Sequence, residues 1–152
     1  MADTIDDEVA LLRTVPFFET MEPAKLKLLA YVSERLEFED TDVVFEEGSS
    51  GDDVYFILAG KADIVREMNG TPVFVAQLDR HALFGEMSVF CNLPRTAGVR
   101  ASGHLAVLRI PGEAFLALIR EQPALAMRVI RELALRLART THNLTIAETA
   151  TD

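Results

Sequence analysis

Residues 84–101 read "FGEMSVFCNLPRTAGVRA", a Gly-Glu pair in a tight apolar segment followed by Pro-Arg-Thr-Ala. A glutamate and an arginine this close among core-forming residues are costly unless each has a partner, and the partner need not be protein. Gly85 lets the backbone turn sharply and lets another group approach it closely. "EMSVF" then suits a single helical turn, whose first amides lack intrahelical acceptors and carry the positive end of the peptide dipoles. Arg95 adds a planar fork of donors that fits a pair of anionic oxygens. Glu86 brings an acceptor for a hydroxyl, and Thr96 a hydroxyl for an anion or a ring edge. Each residue alone has an ordinary reading, in a solvated loop or on the surface, and Glu86 and Arg95 could simply pair with each other as a modest ion pair. Order and spacing together outline a site for an anion, a hydroxyl and a ring, the parts of a nucleotide.

Outward from this stretch, residues 37–110 read as short strands with turn punctuation: "DVVF", "DVYFILAG", "KADIVREM", "TPVFVAQL" and "GHLAVLRI". "GSSGDD", Gly60 and Asn69-Gly70 supply the turns, and Asn-Gly between two such runs predicts a hairpin because both residues tolerate positive φ. The segment around residues 80–90 interrupts the ladder, as a ligand loop inserted in a β unit would. Residues 1–36 read as helices, "DDEVALLRTV" and "PAKLKLLAYVSERL", with Pro23 suited to a first helical position. Residues 111–147 read as two helices broken at Pro123. In the second, Ala126, Ile130, Leu133, Leu137, Thr140 and Leu144 alternate four and three apart, the pattern of a helix-pairing seam. The alternative is one broad stripe that buries against the domain, with Leu125 and Val129 lying off the seam.

The chain has 152 residues, 49% hydrophobic and 26% charged, which suits one globular domain over 1–152 with a substantial core. A net charge of -9 argues against a whole-surface nucleic-acid binder. One cysteine, Cys91, excludes an intrachain disulfide and any Cys-based metal cluster; it reads as a small buried or semi-exposed residue without a redox role. His81, His104 and His142 are scattered, no base and nucleophile stand together, and no enzyme is expected. His81 could at most tune the neighbouring cassette. The acidic "MADTIDDEVALL" is unlike a signal peptide, no apolar run approaches a membrane span, and a soluble cytoplasmic protein is expected.

Residues 84–101 resemble the phosphate-binding cassette of the cyclic nucleotide-binding domain family, which includes the bacterial catabolite activator protein and the regulatory subunits of cyclic-AMP-dependent protein kinase. "VPFFETMEPAKLKLLAYVSERLEF" resembles the family's N-terminal helices, and "VVFEEGSSGDDVYFILAGKADIV" its strand-Gly-turn-strand signature. The final helices resemble its hinge and long C-helix, so the likeness covers nearly the whole chain. It implies an α+β fold, mainly β: an antiparallel, jelly-roll-like β-roll with N-terminal helices, a short cassette helix and C-terminal hinge and lid helices.

The resemblance also implies a ligand site at Phe84, Gly85, Glu86, Met87, Ser88, Arg95, Thr96 and Ala97. Glu86 would accept from the ribose 2′-hydroxyl and Arg95 would neutralise the cyclic phosphate, with Gly85, Ser88 and Thr96 giving backbone or hydroxyl contacts. Thr140 and Thr141 fall where the family's C-helix covers the base, although fraying polar residues near a helix end would look the same. Gly98 departs from a larger residue common in the family. The expected ligand is cyclic AMP, with cyclic GMP open because of Thr96, and no cofactor is expected. With no DNA-binding or catalytic domain in the sequence, the expected partner is another protein regulated in trans, with a homodimer through the last helix possible. A fragment of a transcription factor or channel, or a degenerate roll serving as a constitutive dimerisation module, are the alternatives.

Overall fold

The computed structural model describes the backbone of residues 5–151 and the side chains of residues 7–139. The chain divides after Ala117 into two compact units.

In the first unit, α1 (Ile5–Arg13), a 3-10 turn (Pro16–Phe18) and α2 (Pro23–Val32) precede the sheet. α2 starts with Pro23 behind an extended Glu22, where proline's missing N–H costs nothing. It stops earlier than the helical reading of 23–36 expects. Ser33 is extended (φ -96°, ψ 163°) and caps Leu29. The next residues form β1 (Glu34–Phe38), paired antiparallel with Leu105–Arg109. Leu36 continues the helical spacing of Leu26, Leu29 and Val32, but tertiary pairing outweighs that local preference.

β1, β2 (Val43–Phe45), β3 (Asp53–Met68), β4 (Thr71–Leu78), β5 (Leu83–Phe84) and β6 (Gly98–Pro111) make one antiparallel sheet. Its path runs β1-β6-β3-β4, with β2 on β6 and β5 on β3. The Asn69-Gly70 hairpin is as expected, with φ of 56° and 80° joining Met68 to its partner Thr71. Gly60 is not a turn. β3 runs through it, and the register with β6 shifts on both sides of Ala59, so the two expected strands are one bulged strand. Gly60 has φ +88°, and a Cβ there would clash with the His104 carbonyl oxygen.

β3 is buried on both faces near its start. Tyr55 and Ile57 join Ala62, Val99, Ala101, Leu105 and Val107 in the core enclosed by the sheet. Val54 and Phe56 are fully buried on the opposite face. There the Phe56 ring meets Phe17, Phe18 and Phe115 at centroid distances of 5.2, 4.9 and 6.3 Å, tying the N-terminal elements and the start of α4 to the sheet. Period-2 alternation in a strand covered on both sides explains why this run is apolar throughout.

α4 (Gly112–Glu121) and α5 (Pro123–Thr151) follow β6, separated at Gln122 as the proline predicts. On α5, Leu125 and Val129 are buried while Ile130 and Leu137 are 57% and 67% exposed. Among the described residues no helix is long and apolar enough to cross a membrane, and no cluster of metal-ligating side chains occurs.

Candidate functional site

Charge burial singles out one place. Among the described residues the buried polar and charged side chains are Glu86, Ser88 and Arg95, at 4%, 6% and 4% exposure. Burying a charge costs several kcal/mol of hydration unless other groups replace the lost water, so these positions need an explanation beyond packing.

Local backbone chemistry builds the site. β5 ends at Phe84, the chain turns at Gly85 in the left-handed region (φ 82°), and α3 (Glu86–Cys91) begins at once, closing with Asn92 also left-handed. Gly85 is required twice. Its φ disfavours a side chain, and a Cβ would stand 2.8 Å from Arg95 Nη1 and 3.2 Å from the Tyr55 ring. Nη1 of Arg95 donates to the Gly85 carbonyl (2.8 Å) and to Ser88 Oγ (2.7 Å). Ser88 Oγ in turn donates to the Gly85 carbonyl at 3.1 Å. Nη2 donates to the Asp53 carbonyl at 3.1 Å. Nε is buried without a partner. Burial pushes the Arg95 pKa down from its ordinary value, opposed by Tyr55, Asp53, Asp52 and Glu86. The arrangement is a buried cation with three of its five N–H donors tied to the protein and two left over, on Nε and Nη2, chemistry suited to an anionic oxygen.

The expected residues separate into groups. Gly85, Glu86, Ser88 and Arg95 come together. Phe84 lies in the core, its ring stacked on Tyr55 (5.0 Å, 7°). Met87 is 45% exposed, Thr96 is exposed and Ala97 is half-buried. Cys91 is exposed, not the buried or semi-exposed residue expected, because it sits at the open end of a six-residue helix. The side chains of Thr140 and Thr141 lie outside the described residues.

Several contributors are not evident from the sequence: Phe45, Gly51, Asp53 and Tyr55. The stretch that carries them, "VVFEEGSSGDDVYF", reads as strand, turn and strand, which gives none of them a role at the site. Asp53 has a neighbour with a separate task, since the Asp52 carbonyl accepts from the first amide of α4, at Gly112 (2.6 Å). Two clefts of about 390 and 290 Å³ flank the region. The larger includes Asp52, Asp53 and Glu113 in its lining beside Ser88, the smaller three carboxylates, Glu46, Glu47 and Glu67, against one cation, Arg100. Carboxylates outnumber cations in both linings and repel an anion, which favours the Arg95 cradle as the place that would hold one. His81, just upstream, has φ 72° and donates its N–H to the Ile57 carbonyl (2.7 Å). Its pKa is lowered, first by burial and then by Arg80.

Comparison with known proteins gives a consistent picture. Residues 35–122 match the family model described as the cyclic nucleotide-binding domain. The chain is 32% identical over 111 residues to a cAMP-dependent protein kinase regulatory subunit of Blastocladiella emersonii, covering 72% of this chain and 28% of that protein. It is 29% identical over 135 residues to a CRP-like cAMP-activated global transcriptional regulator of Mycobacterium tuberculosis, covering 88% and 60%. The chain thus spans less than two thirds of these relatives. The crystal structure of the Thermus thermophilus catabolite activator protein superimposes with a TM-score of 0.72 at 28% identity, covering 88% of this chain and 63% of that one. The matched model is that of a binding domain, not a catalyst.

Proposed function

This chain belongs to the cyclic nucleotide-binding domain family, and from that premise we propose that it is a cyclic nucleotide receptor, with cyclic AMP favoured over cyclic GMP. The observation that carries the reading is the gathering of Glu86, Ser88 and Arg95, buried together around the left-handed Gly85. Arg95 Nε–H and the charge behind it meet the cyclic phosphate, and Glu86 accepts from the ribose 2′-hydroxyl. The names of the kinase subunit and the transcriptional regulator support cyclic AMP as the ligand. Nucleotide favours the arrangement of the C-terminal helices that covers the base, with Thr140 and Thr141 as contacts. It shifts that population by its differential affinity. The output is regulation of another protein.

The α5 seam supports self-association as part of that output. Ile130 and Leu137 are largely exposed on the face that the four-three spacing marks for helix pairing. A constitutive dimerisation module is the second reading, and it shares this observation.

Calorimetric titration with cyclic AMP and then cyclic GMP, at matched ionic strength, tests the proposal. Micromolar or tighter binding with cyclic AMP ahead is the expected result. Binding of neither nucleotide by the folded protein would leave the dimerisation module.

A further inference from the structure

Residues 45–53 fold around one side chain of a distant segment. The Arg95 N–H donates to the Ser49 carbonyl and the Arg95 carbonyl accepts from the Gly48 N–H, both at 2.8 Å, so the main chain at Arg95 is pinned to the loop after β2. The side chain then lies inside the same loop. Cζ stands 4.2 Å from the centroid of the Phe45 ring and 5.7 Å from that of Tyr55. Asp53 takes Nη2 through its carbonyl. Gly51 lies so close that a Cβ there would clash with Nε, Cζ and Nη2 of Arg95. Unlike Gly85, Gly51 does not lie in the left-handed region, so space is what its glycine supplies.

The aim of the Phe45 ring has a backbone cause. Val43 pairs with Arg100 and Phe45 with Val99, so β2 carries one extra residue against β6. Such a bulge re-aims side chains, and here both Val44 and Phe45 pack on the core. The ring comes under the guanidinium as a result. A cation over an aromatic face gains most where water is excluded, and Arg95 is 4% exposed.

We propose that Phe45 and Gly51 are positioning residues for phosphate capture: the ring at 45 and the bare Cα at 51 form a seat that fixes the tilt of the Arg95 guanidinium, and with it the direction of the N–H donors that no protein group takes. The three hydrogen bonds fix the in-plane position of the fork. Stacking on Phe45 fixes the remaining freedom, rotation out of that plane. Affinity for the cyclic phosphate therefore depends on a residue that does not touch the nucleotide phosphate. This inference rests on the cyclic nucleotide reading above and adds the residues that prepare its anion site.

The test uses the full chain and the variants Phe45→Leu, Phe45→Tyr and Gly51→Ala, each checked by thermal melting. Cyclic AMP is titrated by calorimetry, and the Arg95 Nε–H resonance is followed by NMR without nucleotide. Phe45→Leu keeps an apolar side chain but lacks the ring, and should weaken cyclic AMP about tenfold. Phe45→Tyr keeps the ring and should bind within about twofold of the parent. Gly51→Ala, which dislodges the guanidinium, should lose at least as much as Phe45→Leu. In the parent the Nε–H resonance should be ring-current shifted, and the shift should vanish in Phe45→Leu. Parental affinity in both Phe45→Leu and Gly51→Ala would overturn the seat, as would tyrosine failing to restore binding. If the parent binds no cyclic nucleotide, the functional reading falls; the seat is then judged by the Nε–H resonance, and an unshifted signal in the parent overturns it. If Phe45→Leu does not fold, Gly51→Ala and the parent resonance decide.

Discussion

Arg95→Ala isolates the charge on which the functional reading depends. In the free protein the guanidinium donates to the carbonyls of Gly85 and Asp53 and to Ser88 Oγ. Those acceptors lose their donors in the variant, but water can enter the space the side chain leaves and replace them. The bound state has no such replacement. A charge-assisted hydrogen bond from Nε–H is worth about 1.5–3 kcal/mol, and the phosphate's charge is left unneutralised in a site where water is scarce. Together these give about 2–5 kcal/mol, the usual cost of stranding one member of a buried charged pair. At about 1.4 kcal/mol per decade, cyclic AMP affinity falls by about 30-fold at the low end and about 4,000-fold at the high end. Calorimetry at fixed salt measures it, and a thermal melt confirms that the variant is folded. A folded Arg95→Ala that binds cyclic AMP within about threefold of the parent would refute the assignment of the phosphate site.

Glu86→Ala removes one acceptor and should weaken cyclic AMP by about tenfold, less than the loss at Arg95; the same titration with the 2′-deoxy analogue should show almost no difference between parent and variant. His81 holds φ 72°, so His81→Gly should stabilise the fold by about 0.5–1 kcal/mol in urea titration. The pKa of His81 is lower folded than unfolded, so its contribution is complete above the ordinary value of 6.5 and is lost as pH falls through the folded value. The gain from His81→Gly should accordingly grow toward acid. His104 has the opposite sign. Hydrogen bonding to Glu37 and then Glu39 raises its pKa, so its contribution is present below 6.5 and lost as pH rises through the folded value. His104→Gln should cost more stability at about pH 6 than at about pH 9, and an equal cost at both would exclude the ion pairing. Gly60→Ala and Gly48→Ala both place alanine at positive φ, but only Gly60 has a carbonyl oxygen where the Cβ would go. Gly48→Ala should cost about 1–2 kcal/mol from backbone strain alone, Gly60→Ala clearly more, and equal losses would show the strand relaxing freely around the bulge.

The cassette was legible because its chemistry is contiguous: Gly85, Glu86, Ser88 and Arg95 come from one short run, and the glycine dictates the turn that starts α3. The Asn69-Gly70 hairpin was legible for the same reason, since two adjacent residues set the backbone. What escaped was nonlocal. "SERLEF" continues a helical spacing, and only β6, far along the chain, makes part of it a strand. Gly60 reads as a turn until β6 pairs with β3 on both sides of it. The holder of Arg95 escaped most completely, because the Asp53 carbonyl that takes Nη2 is 42 residues away in sequence, and Phe45 and Gly51 are more distant still. No pattern in "VVFEEGSSGDDVYF" marks a ring and a bare Cα as the two sides of one seat.

β6 has a consequence for the order in which the chain can become structured during synthesis. It is the shared partner of β1, β2 and β3, and it pairs with β1 through Leu105–Arg109. Three strands therefore leave the ribosome before the strand they all need. Val43–Phe45 has no ladder until about residue 100 has emerged and Glu34–Phe38 none until residues 105–109 have, and before β6 begins the strand pairings open to Asp53–Met68 are those with β4 and β5. The β3–β4 hairpin can close early, since its turn is local, but the sheet must wait and then close through long-range contacts, the slow step in β-rich folding. Because Phe45 is placed by the pairing of β2 with Val99 and Arg100, just after Arg95, the nascent chain has no complete anion site to offer until β6 has begun to pair.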